Sequence, residues 1–115
     1  MKRLLAVTCV VLAITAAATR ASGAGARASK PATRHETVTI DNFSFNAKSV
    51  TVPVGTVVTW VNRDDAPHKV VSTAHTFTSP VLDTDGRFSY TFTKSGTYDY
   101  FCSLHPMMTG TVVVK

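Results

Sequence analysis

Cysteine is scarce in this chain: only Cys9 and Cys102 occur. Cys9 lies in an apolar N-terminal stretch, so a chain that loses that stretch keeps Cys102 alone and can form no internal disulfide. In an oxidising compartment such a thiol is buried and inert, occupied by a metal, or a hazard. Acidic residues are missing from residues 1–35, which carry Lys2, Arg3, Arg20, Arg27, Lys30 and Arg34. The formal charge of +5 therefore belongs to the N-terminal segment. The remainder is close to neutral, which argues against a nucleic-acid surface. Leucine beyond residue 36 is limited to Leu82 and Leu104, and no window there carries a 3.6-residue apolar stripe, so a helical domain is excluded. There is no internal repeat. A length of 115 residues holds one small domain and rules out large catalytic scaffolds.

The N-terminal segment reads as an export signal. Lys2 and Arg3 precede an uncharged stretch from Leu4 to Ala18, which is shorter than the ~20 apolar residues a spanning helix needs. Small residues at Ala16-Ala17-Ala18 and at Ala24-Gly25-Ala26 offer two cleavage sites, and residues 1–26 are taken as the signal. Residues 27–35, with His35, have the composition of a flexible linker. The mature chain is expected to be periplasmic or secreted, with no stable membrane span, and to be a monomer.

From residue 36 onward, Val, Thr, Phe and Tyr dominate, a mixture that favours strands. Val38 and Ile40 alternate with polar neighbours, as do Phe88, Tyr90 and Phe92. Further strands are expected at 49–54, 56–62, 69–72, 97–101 and 110–114. Pro53-Val54-Gly55, Asp64-Asp65-Ala66-Pro67, Asp85-Gly86 and Lys94-Ser95-Gly96 separate them. Residues 36–115 thus form an all-β sandwich of about seven to eight strands.

The chemistry is concentrated in Cys102-Ser103-Leu104-His105-Pro106-Met107-Met108. A strand delivers Cys102 to its end, and a short loop returns past His105 and Met108 before the next strand starts. A thiolate, an imidazole and a thioether come from one loop, so a fourth ligand must come from elsewhere. His68 is the natural source, because it follows the Asp64–Pro67 turn and opens a strand. Two imidazoles, a thiolate and a weak thioether suit one copper ion cycling between Cu(I) and Cu(II). A structural zinc site has little use for a thioether, and hard cations do not fit the set.

The stretch from Gly96 to Val114, with its Cys-x2-His-x2-Met spacing, resembles the cupredoxins of amicyanin and plastocyanin type. Trp60-Val61-Asn62 and Ala66-Pro67-His68 also stand in family-like places. The resemblance implies an antiparallel Greek-key sandwich with copper at one end, held by His68, Cys102, His105 and Met108. It implies a blue copper protein that carries single electrons between redox partner proteins. It also implies that the imidazole of the short loop, here His105, can protonate and detach in the reduced state. Met107 competes with Met108 as the axial ligand, but the family spacing selects Met108. Many cupredoxins have Asn after the first His, where this chain has Lys69. A lysine has donors only, so a looser loop or a shifted potential is expected.

Each of these residues also has a plainer reading. A lone Cys or His is more often core or surface than ligand, and it is the spacing that reverses the odds here. His75 reads as a solvated loop histidine. Asp83-Thr84-Asp85-Gly86 reads as a hairpin turn, since it lacks the other ligands of an EF-hand. Trp60 reads as core. The uncharged run from Cys102 to Met108 offers Leu104, Pro106 and Met107 as an apolar docking patch around His105. The rival functions are a copper carrier or chaperone and a metal-free interaction module. An enzyme is the weakest reading, because protein side chains fill every strong ligand position.

Overall fold

A computed structural model describes residues 33–115. The expected export signal, and all of the expected linker except its last residues, lie outside the described residues. The first strand, β1 (His35–Asp41), takes in His35, which composition alone groups with the linker. The others are β2 (Ser44–Asn46), β3 (Ser49–Val52), β4 (Thr56–Asn62), β5 (Val70–Ser72), β6 (Arg87–Phe92), β7 (Gly96–Cys102) and β8 (His105–Val114). No helix among the described residues is long and apolar enough to cross a membrane.

The strands form two four-stranded sheets, ordered β2-β1-β4-β6 and β3-β8-β7-β5. Most neighbours are antiparallel, but β1 with β4 and β3 with β8 run parallel. Parallel neighbours cannot be joined by a tight turn. After the β1–β2 hairpin the chain crosses to the second sheet as β3 and returns as β4, the alternation of a Greek-key sandwich. The expected all-β sandwich is therefore present. The turn at Asp83–Gly86 differs from expectation: it does not join hairpin partners. Leu82 pairs with His68, while β6 beyond it pairs with β4, so the turn passes the chain from one sheet to the other.

Alternation places one face of each strand inside. Val38 and Ile40 of β1, Val58 and Trp60 of β4, Tyr100 and Cys102 of β7, and Val112 and Val114 of β8 are all buried in one core. Trp60 lies at its centre, edge-on to Tyr100 and stacked with Phe88. The indole N–H of Trp60 and the hydroxyl of Tyr100 are both buried without a hydrogen-bond partner. Tyr100 pairs with Gly110 across β7–β8, and its ring fills the space a side chain at residue 110 would need. A Cβ there would lie 2.8 Å from Tyr100 Cε2 and closer still to Cζ and the hydroxyl.

Candidate metal centre

Four segments meet at one pole of the sandwich: the β1–β2 turn, the 62–68 loop after β4, the entry to β5, and the β7–β8 hairpin. The hairpin is tighter than its sequence suggests. Pairing resumes at His105, directly opposite Cys102, so only Ser103 and Leu104 form the turn. One step further along, Phe101 pairs with Thr109. Pro106, Met107 and Met108 therefore bulge from β8, aided by the missing N–H of Pro106. The bulge sorts the two methionines: Met107 is 95% exposed and Met108 is 6% exposed, inside the core beside Cys102.

His68 enters from the other loop. A backbone bridge to Leu82 anchors it, with His68 N–H to Leu82 O at 3.0 Å and the reverse bond at 2.7 Å. Cys102 Sγ lies 3.6 Å from Nδ1 of His68 and 3.6 Å from Nδ1 of His105. The three donor atoms fall within 4.8 Å of one another. His68 and Cys102 are fully buried, and His105 is partly exposed. All four sequence candidates thus reach one pole: three with donor atoms together, and Met108 buried nearby.

Two further residues, neither of them a candidate ligand, organise this pole. Asp64 accepts three hydrogen bonds on one carboxylate: from Asn42 N–H at 2.6 Å, from Phe43 N–H at 2.9 Å and from His68 Nε2 at 2.8 Å. Because an ionised carboxylate only accepts, the His68 proton sits on Nε2, which leaves the Nδ1 lone pair facing Cys102. Burial alone would push the Asp64 carboxyl up. The Phe43 N–H, His68 and the Asn42 N–H outweigh it and hold the group below its ordinary range. The second residue is Asn62, fully buried. Its amide donates to Ala66 O at 2.9 Å and Leu82 O at 2.8 Å, and its oxygen accepts from Asp64 N–H at 2.9 Å. An amide therefore ties the His68 loop to its neighbour from residue 62, although residue 69 is a lysine. Lys69 contributes its backbone N–H, 3.4 Å from Cys102 Sγ, a contact any residue but proline can make. His75 lies exposed in its turn, away from this pole.

The donor set can be tested against a metal by its spacing. A bond of about 2.0 Å to nitrogen and one of about 2.3 Å to sulfur, opened to about 110–120° at one ion, separate their donor atoms by about 3.5–3.7 Å. Both sulfur–nitrogen separations, 3.6 Å, fall in that range. One thiolate and two imidazoles around a point, with a buried thioether nearby, fit copper.

Residues 5–114 match the model of the cupredoxin-like domain family. The chain belongs to the cupredoxins. It is 32% identical over 118 residues to amicyanin-alpha of Methylorubrum extorquens, a match covering 98% of this chain and 99% of that protein. Amicyanin of Paracoccus denitrificans is 39% identical over 83 residues, covering 68% of this chain and 63% of that protein. In the latter case the match spans less than two thirds of the relative's length. Among solved structures, the Cu(I) form of an amicyanin variant superposes with a TM-score of 0.66 at 38% identity, covering 70% of this chain and 82% of the other. The solved neighbour is a Cu(I) form, and His68, Cys102 and His105 are the residues of this chain that would hold such an ion.

Proposed function

We propose that this cupredoxin carries single electrons between redox partner proteins, through a copper ion that His68, Cys102 and His105 would hold, with Met108 supplying a thioether beside them. The observation that carries this reading is the pair of equal sulfur–nitrogen separations at Cys102, with one thiolate serving two imidazoles. Bound there, copper supplies a one-electron Cu(I)/Cu(II) couple. The protein's task is to make that exchange require little movement. Asp64 fixes the ring of His68, the Lys69 N–H faces the sulfur of Cys102, and hydrogen-bonded strands carry both ligand-bearing segments. Burial of His68 and Cys102 keeps water from the thiolate.

His105 is the ligand open to solvent, so electrons enter and leave beside it. Leu104, Pro106 and Met107 surround it as exposed apolar surface suited to brief encounters with several partners. The mature domain acts as an exported monomer, periplasmic or secreted, and not as an enzyme.

The test is to add Cu(II) to the purified domain and record visible and EPR spectra. An intense thiolate-to-copper absorption, lost in Cys102→Ser, is expected. A colourless sample with a freely reactive thiol would overturn the assignment. The rival copper-carrier reading is separated by kinetics: rapid reversible redox cycling with retained metal supports electron transfer, whereas rapid handover of Cu(I) to an acceptor supports the carrier.

A further inference from the structure

The β1–β2 hairpin turns through Asn42 and Phe43, with Asp41 paired to Ser44. Both central residues have positive φ, 49° and 53°. That is the pattern of a type I′ turn, whose second position favours glycine and is costly for a bulky side chain. Asn42 tolerates it; Phe43 does not without support. The support is the Asp64 carboxylate, which receives the N–H of both residues and the Nε2–H of His68. An unfavourable residue is thus held in place by the same group that orients a metal-binding imidazole.

The ring of Phe43 repeats that convergence. It packs edge-on to His68 at 5.5 Å and to His105 at 5.1 Å, with interplanar angles of 75° and 84°. It does so while 53% exposed, so burial of its own surface is only part of its reward. His105 has no hydrogen bond to a carboxylate or carbonyl comparable to that of His68 among the described residues; its contacts are Cys102 Sγ and rings. Backbone strain that persists beside a functional group points to a role for the side chain displayed there.

We infer that Phe43 is a positioning residue: an aromatic brace, clamped by Asp64, that holds the His105 imidazole against the site and slows the escape of copper. This rests on the copper reading above.

The test compares the full protein with Phe43→Asn, which suits positive φ and removes the ring, and with Phe43→Tyr, which restores an aromatic edge. Two readouts are needed. The first is the rate at which the reduced, copper-loaded protein yields Cu(I) to bathocuproine disulfonate. The second is relaxation dispersion of the His105 ring in the copper-free protein. Phe43→Asn is expected to remain folded, to release Cu(I) about tenfold faster, as expected for loss of an aromatic contact, and to show new exchange broadening at His105. Phe43→Tyr is expected to match the parent in both. A folded Phe43→Asn with parental release and an unchanged His105 signal overturns the inference, as does Phe43→Tyr behaving like Phe43→Asn. If the parent binds no copper at all, the electron-carrier reading fails, while the His105 relaxation in the copper-free protein still decides whether Phe43 braces the ring.

Discussion

Replacing Asp64 with alanine removes the acceptor for three N–H groups at once. A hydrogen bond contributes about 1 kcal/mol net, and more when one partner is charged. The Asn42–Phe43 turn is exposed, so water can reclaim its two N–H groups, whereas the ring of His68 is fully buried. The loss is therefore placed at about 3 kcal/mol, or a fall of roughly 12–24 °C in Tm for a domain of this size. Asp64→Asn should lie between, because an amide keeps one acceptor oxygen but turns its NH2 toward donors. Urea unfolding of the copper-free protein measures this directly. A parallel Cu(II) competition titration should show affinity falling 10–100-fold, since a misoriented His68 no longer presents Nδ1 to Cys102. A loss below about 1 kcal/mol in Asp64→Ala, with unchanged copper affinity, would refute the claim that this carboxylate organises the pole.

The bulge in β8 predicts a contrast: Met107→Ala should leave stability within about 0.5 kcal/mol, while Met108→Ala should cost about 2–4 kcal/mol and alter the copper EPR signal. Gly110→Ala should destabilise by at least ~2 kcal/mol through overlap with the Tyr100 ring, and Tyr100→Ala in the same chain should remove most of the additional penalty; strict additivity in the double-mutant cycle would count against it. Tyr100→Phe should be neutral or stabilising, because the hydroxyl it removes has no partner. Burial pushes that hydroxyl up to about 12. A phenol whose folded-state value is raised favours the unfolded chain once the pH exceeds about 10, so the parent should lose stability between about pH 10 and 12, and urea titrations of Tyr100→Phe should show a shallower slope there. Lys69→Asn should shift the reduction potential measured by voltammetry and reduce loop mobility; no change in either would show that Asn62 already does this work.

The sandwich was legible because alternation survives in the strands that matter: Val38 and Ile40, or Val112 and Val114, announce a buried face without help from tertiary context. The donors were legible because Cys102, His105 and Met108 are close in sequence. Asp64 was not, since its partners at residues 42 and 43 lie more than twenty residues away and an Asp-Asp-Ala-Pro run has an adequate local explanation as a turn. The strand β2 carries no local signal for a related reason. Its hairpin turn is Asn-Phe where Asn-Gly would be the recognisable signal, and only the distant carboxylate makes the substitution tolerable. The sequence shows only the later part of β8, because Pro106 interrupts the pattern although pairing continues on both sides of it.

The three-residue excursion at Pro106–Met108 lies between two fixed anchor points, Cys102 with His105 on one side and Phe101 with Thr109 on the other. Beyond Thr109, β8 is held by β7 on one flank and by β3 on the other. Lengthening or shortening the excursion should therefore leave the register of residues 111–114 intact and change only which side chain points inward. The hairpin is in this sense an interchangeable cassette: alternative loops can be transplanted into it to retune the centre, at small cost to the scaffold that carries it.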